Sequence, residues 1–86
     1  MDEYSVTFAR SARKELERLQ APLSSRILAR MEALAREPRR EGCRKLQGSE
    51  DLWRIRVGDY RIVYSVDDTE MVVDVIAVRH RSEAYR

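Results

Sequence analysis

Three arginines within a stretch of eight residues are the first feature with chemistry in it: Arg54, Arg56 and Arg61. They belong to the run Trp53-Arg54-Ile55-Arg56-Val57-Gly58-Asp59-Tyr60-Arg61-Ile62-Val63-Tyr64. Alternation with period two marks a strand, and a Gly-Asp step between two such runs marks a two-residue hairpin turn. Closing that turn pairs Val57 with Tyr60, Arg56 with Arg61, Ile55 with Ile62 and Trp53 with Tyr64. Directly opposed residues share a face. One face then holds Trp53, Ile55, Val57, Tyr60, Ile62 and Tyr64, and the other gathers Arg54, Arg56 and Arg61. A guanidinium presents a planar fork of donors that matches phosphate oxygens. Opposed like charges destabilise a sheet, so Arg56 beside Arg61 calls for an anion between them. The plainer alternative is a solvated polar face on a half-exposed sheet.

The chain's end adds Arg79-His80-Arg81 and then Tyr85. An even-length turn over Asp67–Glu70 puts His80 on the face of Arg61, whereas an odd turn or a bulge puts Arg79 and Arg81 there. Both remain open from the sequence. His80 is the only histidine, and imidazole is the side chain whose unperturbed titration falls near neutrality. No Cys/His cluster exists and the acidic residues converge at no ligand spacing, so no metal site and no cofactor are expected. The single cysteine, Cys43, cannot form an internal disulfide, which suits a reduced, cytoplasmic setting.

These side chains need a scaffold. Tyr4 to Phe8 alternates and is rich in β-formers, a first strand. Ala12, Leu16 and Leu19 recur at helical spacing, and so do Leu23, Ile27, Met31 and Leu34, with Leu28 and Ala35 widening the second stripe. Pro22 suits a helix start, and Pro38 stops the second helix before it. A short strand is expected around Arg44–Gln47, then strands at Leu52–Val57, Tyr60–Val66 and Met71–Val78. The last, nearly all apolar, reads as a central strand covered on both faces. The fold class is therefore α+β: an N-terminal strand, an antiparallel helix pair, and a three- to four-stranded, mostly antiparallel sheet.

With 86 residues the chain has room for a single domain, 1–86. No apolar run approaches a membrane span, and the opening Met1-Asp2-Glu3 does not read as a secretory signal. The 17 basic and 15 acidic residues give a formal net charge of +2, and only Lys14 and Lys45 among the basic ones are lysines. The near-neutral total hides a division. Arg39 to Arg61 holds seven basic and four acidic residues, while Ile62 to Val78 holds four acidic and no basic ones. Such asymmetry focuses a field on one part of a surface.

The residues, taken in order, resemble the RelE/ParE superfamily of toxins from type II toxin–antitoxin systems. The likeness runs through Tyr4-Ser5-Val6-Thr7-Phe8, Ser11-Ala12, Glu15-Leu16, Pro38-Arg39, Lys45-Leu46-Gln47-Gly48, Trp53 to Tyr64, and Val78-Arg79-His80-Arg81-Ser82-Glu83-Ala84-Tyr85. It implies a helical hairpin on an antiparallel sheet. In the RelE branch it implies a metal-free endonuclease that enters the ribosomal A site of the 30S subunit, against 16S rRNA, and cuts the mRNA codon there. The ParE branch is associated with DNA gyrase and lacks the nuclease residues; a third possibility is an inactive member that only binds antitoxin. Two basic residues flanking an apolar one are matched by Arg54 and Arg56. The next-strand arginine is matched by Arg61, the C-terminal arginine best by Arg81, and the C-terminal tyrosine by Tyr85. Arg44, Lys45 and Arg79 extend the expected phosphate-binding set. The family's paired strand lysines are arginines here, and arginine does not deprotonate in proteins, so a general base would have to be His80, Tyr85, Lys45 or a ribosomal group. A cognate antitoxin protein is the implied partner, with the basic Arg39–Arg61 segment as a receiver.

Overall fold

A computed structural model of the chain describes residues 3–39, 42–46, 48 and 51–84. The alternating β-formers near the start give β1 (Ser5–Phe8), followed by α1 (Arg10–Arg18) and α2 (Ala21–Arg36). Leu19 and Gln20 alone separate the helices. The extended Gln20 turns its carbonyl to the N–H groups of Leu23 and Ser24, and Pro22 occupies the first turn, where a missing N–H costs nothing. Then come β2 (Arg44–Lys45), β3 (Leu52–Val57), β4 (Tyr60–Asp67), β5 (Val72–His80) and a last short helix, α3 (Arg81–Ala84). No helix among the described residues is long and apolar enough to cross a membrane.

One five-stranded sheet results, in the order β1-β5-β4-β3-β2. All neighbours are antiparallel except β1, which lies parallel to β5 at the edge. The fold class read from the alternation is the one observed. The hairpin closes as the pattern requires, Val57 opposite Tyr60 and Arg56 opposite Arg61. Gly58 sits at φ +60° and Asp59 is not in the left-handed region, the backbone of a type II′ turn, which needs glycine at its first central position.

The helices cover one side of the sheet. Ala12, Ile27, Met31 and Leu34 meet Ile55, Ile62, Tyr64, Val73, Val75 and Val78 in a buried core. Alanine at position 12 lets α1 approach β5 closely, and it is fully buried. Two expectations change. Ala35 joins the buried stripe of α2, but Leu28 stays exposed, lining an open hollow with Tyr4, Val6 and Phe8. And β5, though central in order, is covered on one face only. Its other face is half-buried, with Asp74 accepting a hydrogen bond from the Thr7 hydroxyl at 2.7 Å.

A clasp closes the far end of the sandwich. Asp68, in the β4–β5 turn, accepts from the Tyr4 phenol at 2.5 Å and from the Arg39 guanidinium at 2.7 Å. Arg39 also lies over the Trp53 ring, 5.6 Å from its centroid. One residue earlier, the Pro38 carbonyl accepts from the buried Tyr64 hydroxyl at 2.8 Å. The segment leaving α2 is thus pinned to the sheet at two successive residues.

Candidate functional site

The register places the arginines. Arg56 on β3 stands opposite Arg61 on β4, and Arg61 stands opposite Arg79 on β5. Three arginines therefore form one row across three adjacent strands, about 10 Å from first to last Cα at ordinary strand spacing. The neighbouring row on the same face runs Arg44, Arg54, Val63, Ala77. This is the side of the sheet away from α1 and α2. Arg56, Arg79 and Arg44 are exposed, while Arg54 and Arg61 are half-buried at the sheet surface. Arg61, at the centre of the row, has a buried Nε that finds no hydrogen-bond partner among the described residues. A buried N–H without a partner costs free energy.

A bulge decides which C-terminal residues join this face. Between the pairs Tyr64–Val75 and Val63–Ala77, β5 carries one extra residue, Ile76. One extra residue reverses the alternation of everything that follows. Val73 and Val75 face the helices before it, and Val78 and His80 face them after it, leaving Arg79 on the arginine side. His80 stands opposite Tyr60 on the helix side, its ring edge-on at 5.3 Å between centroids. The structure does not bring His80 to the arginine row. Lys45 is opposite Trp53 and is likewise on the other face, exposed at the rim of a hollow shared with Arg39, Asp51 and Asp68. Arg81 is exposed in the first turn of α3, its N–H bonded to the Asp59 carbonyl of the hairpin turn at 2.7 Å. Tyr85 lies outside the described residues.

Arg79 is the residue whose placement the sequence left least visible. Alternation would have assigned it directly, but Val72 to Val78 is apolar at every position except Asp74, so the bulge at Ile76 leaves no mark in the pattern.

The face is polarised along its length. The outward positions of β4 read Arg61, Val63, Ser65, Asp67: basic, apolar, polar, acidic. Asp74 and Thr7 lie at the acidic end. An anion is drawn to one end and repelled from the other, and the short apolar step at Val63 and Ala77 separates the two.

Comparison with known proteins identifies the lineage. Residues 6–85 match the family described as ParE toxin of type II toxin–antitoxin system, parDE. The chain belongs to the RelE/ParE family of type II toxins. Among its relatives is toxin RelG of Mycobacterium tuberculosis, 36% identical, with 96% of this chain and 97% of that one covered. The mRNA interferase toxin RelE of Escherichia coli is 35% identical over 95% of this chain and 90% of its own length. Solved structures agree. The toxin of the RelBE2 toxin–antitoxin complex of M. tuberculosis superposes with a TM-score of 0.82 at 28% identity, covering 95% of both chains. In the archaeal RelE–RelB complex of Pyrococcus horikoshii the TM-score is 0.81 at 32% identity, over 94% of this chain and 97% of that one. This RelE-like toxin is thus the toxin component of a toxin–antitoxin system, with the strand, two helices and sheet of its relatives.

Proposed function

We propose that this toxin is an endoribonuclease that cuts mRNA in the ribosomal A site, in the cytoplasm, by attack of the RNA's own 2′-hydroxyl on the adjacent phosphate. The observation that carries this reading is the row Arg56–Arg61–Arg79 on the open face, flanked by Arg54 and Arg44. Guanidiniums in register at strand spacing suit a phosphodiester whose charge grows as the oxygen attacks. The bond from the 2′-oxygen to phosphorus forms as the bond to the 5′-oxygen breaks, leaving a 2′,3′-cyclic phosphate and a free 5′-hydroxyl. Arg61, with its unsatisfied Nε, holds the scissile phosphate between Arg56 and Arg79, and Arg54 and Arg44 hold neighbouring phosphates. Arg81 neutralises the leaving oxygen. Proton transfer falls to Tyr85 or to a ribosomal group, since an arginine row cannot serve as a base. Tyr85 is also suited to stack on a base of the codon. In this reading the guanidiniums supply the charge stabilisation that a metal ion provides elsewhere. The E. coli relative named as an mRNA interferase toxin supports mRNA as the target, and toxin–antitoxin complexes among the structural relatives support a cognate antitoxin as partner.

The test is induced expression with mapping of mRNA 5′ ends, in wild type and Arg61→Ala. Codon-phased cuts in translated regions that vanish in Arg61→Ala are expected. A fully toxic, normally expressed Arg61→Ala protein would reject this site. One observation favours a second reading, a gyrase-directed toxin of the ParE kind: the matching family is the one named for ParE. That reading predicts inhibited supercoiling with intact mRNA, so the same cultures separate the two.

A further inference from the structure

His80, turned away from the arginine row by the bulge, has a different setting. It is the residue before α3, the N-cap position, and Ser82 is the second residue of that helix. The Ser82 backbone N–H donates to His80 Nδ1 at 3.2 Å, and Ser82 Oγ lies 2.9 Å from the same nitrogen. An N-cap side chain accepts from the second or third helical N–H, a role Ser, Thr, Asp and Asn usually fill. Here an imidazole nitrogen does so. Since a backbone N–H can only donate, Nδ1 must carry the lone pair and the ring proton must reside on Nε2.

We propose that His80 is a positioning residue whose imidazole Nδ1 caps α3 and thereby sets the path of the segment carrying Arg81. The first two N–H groups of α3 have distinct partners, Asp59 carbonyl for Arg81 and His80 Nδ1 for Ser82. The first is independent of the side chain at position 80; the second is lost with any residue that offers no acceptor there, which loosens the helix start without detaching it. The ring is held for this task by the Tyr60 edge on β4. Other charged groups around it are Asp59 in the hairpin turn and Arg26 on α2, which share its hollow with Pro22 and Leu23, and Arg81 on α3 itself. Arg79 projects from the opposite face of the sheet.

The functional part of this inference rests on the proposed mRNA cleavage; the cap itself does not. As the chain has one histidine, the purified toxin labelled with 15N gives one imidazole to follow. At a fixed pH of about 8 its ring proton should be found on Nε2, and Ser82 amide exchange, corrected for its intrinsic rate, should be about fivefold faster in His80→Phe than in wild type, the size of a lost N-cap. In His80→Asn the amide oxygen stands where Nδ1 stood, so protection should persist. Ribosome-dependent mRNA cleavage should follow the same order, with His80→Phe about fivefold below wild type and His80→Asn restored to it. An inactive but folded His80→Asn would overturn the proposal in favour of a chemical role for the imidazole. A ring proton on Nδ1, or equal Ser82 protection in His80→Phe and wild type, would overturn the cap directly. If wild type cleaves no mRNA, the functional reading falls, and the tautomer and exchange measurements still decide the cap.

Discussion

Arg61 combines two costs that a structural residue would not carry. It lies between two like charges, Arg56 and Arg79, and its buried Nε has no acceptor among the described residues. Under the proposed mRNA cleavage, stability given up at this point belongs to a phosphate-binding position. Replacing it with methionine keeps the apolar stem while removing the charge and the orphan donor. Arg61→Met should therefore melt no lower than wild type while abolishing growth inhibition; a loss of more than about 8 °C in Tm would make the arginine structural instead. Tyr64 is the opposite case. Its hydroxyl is buried against the Pro38 carbonyl, and burial, with Cys43 beside it, pushes the phenol well above the usual tyrosine range. Tyr64→Phe strands that carbonyl and should cost about 1–2 kcal/mol in denaturant unfolding without touching the arginine row. At this scale the sequence was legible where alternation was clean: Arg54, Arg56 and Arg61 lie where strand parity puts them. Tyr64 was legible only as an apolar-face residue, because its partner Pro38 is 26 positions away and belongs to a connector with no periodicity.

Among the elements, β5 determines how the site is completed. Its first half could be read as buried, but the parity of its second half depends on Ile76, and a run that is apolar at nearly every position conceals a one-residue slip. That is why the sequence left His80, Arg79 and Arg81 undecided, and why the C-terminal arginine matched by resemblance, Arg81, is in α3 while Arg79 occupies the row. The parallel docking of β1 was hidden for a related reason: pairing across 67 positions is set by packing, not by local pattern. The bulge makes a sharp prediction. Deleting Ile76 joins Val75 directly to Ala77, so both halves of β5 keep their partners on β4 and Arg79 still faces Arg61. This deletion should fold, with a Tm shift under about 8 °C, and should retain toxicity. Deleting Val63 from β4 is the control, since it turns Tyr60 to Ile62 over relative to β3 and should leave no cooperative melt.

On the scale of the whole molecule, the net charge of +2 conveys little, because the charges are sorted: an arginine end and an acidic end on one open sheet face, with most helix arginines on solvated surfaces. The partition into a basic Arg39–Arg61 segment and an acidic Ile62–Val78 segment was visible in the chain, but the acidic segment also serves stability. Asp68 joins the start of β1 through Tyr4, the exit of α2 through Arg39, and its own β4–β5 turn. The Arg39 hydrogen bond, and after it the Tyr4 hydrogen bond, holds its carboxyl below the ordinary carboxylate range. A carboxyl whose folded-state pKa is depressed binds protons less readily folded than unfolded, so unfolding takes up a proton in acid. Its stabilisation is complete above the unfolded-state value, near 4, and is lost as pH falls below that toward the folded-state value. Asp68→Asn keeps an oxygen acceptor but removes the titration. Wild type should therefore exceed Asp68→Asn in Tm at neutral pH, and the gap should narrow as pH falls from about 4 to about 2. Because the pair is exposed and screened, adding salt should shrink the neutral-pH gap too. A gap independent of pH would mean that the clasp holds by shape and neutral hydrogen bonds alone.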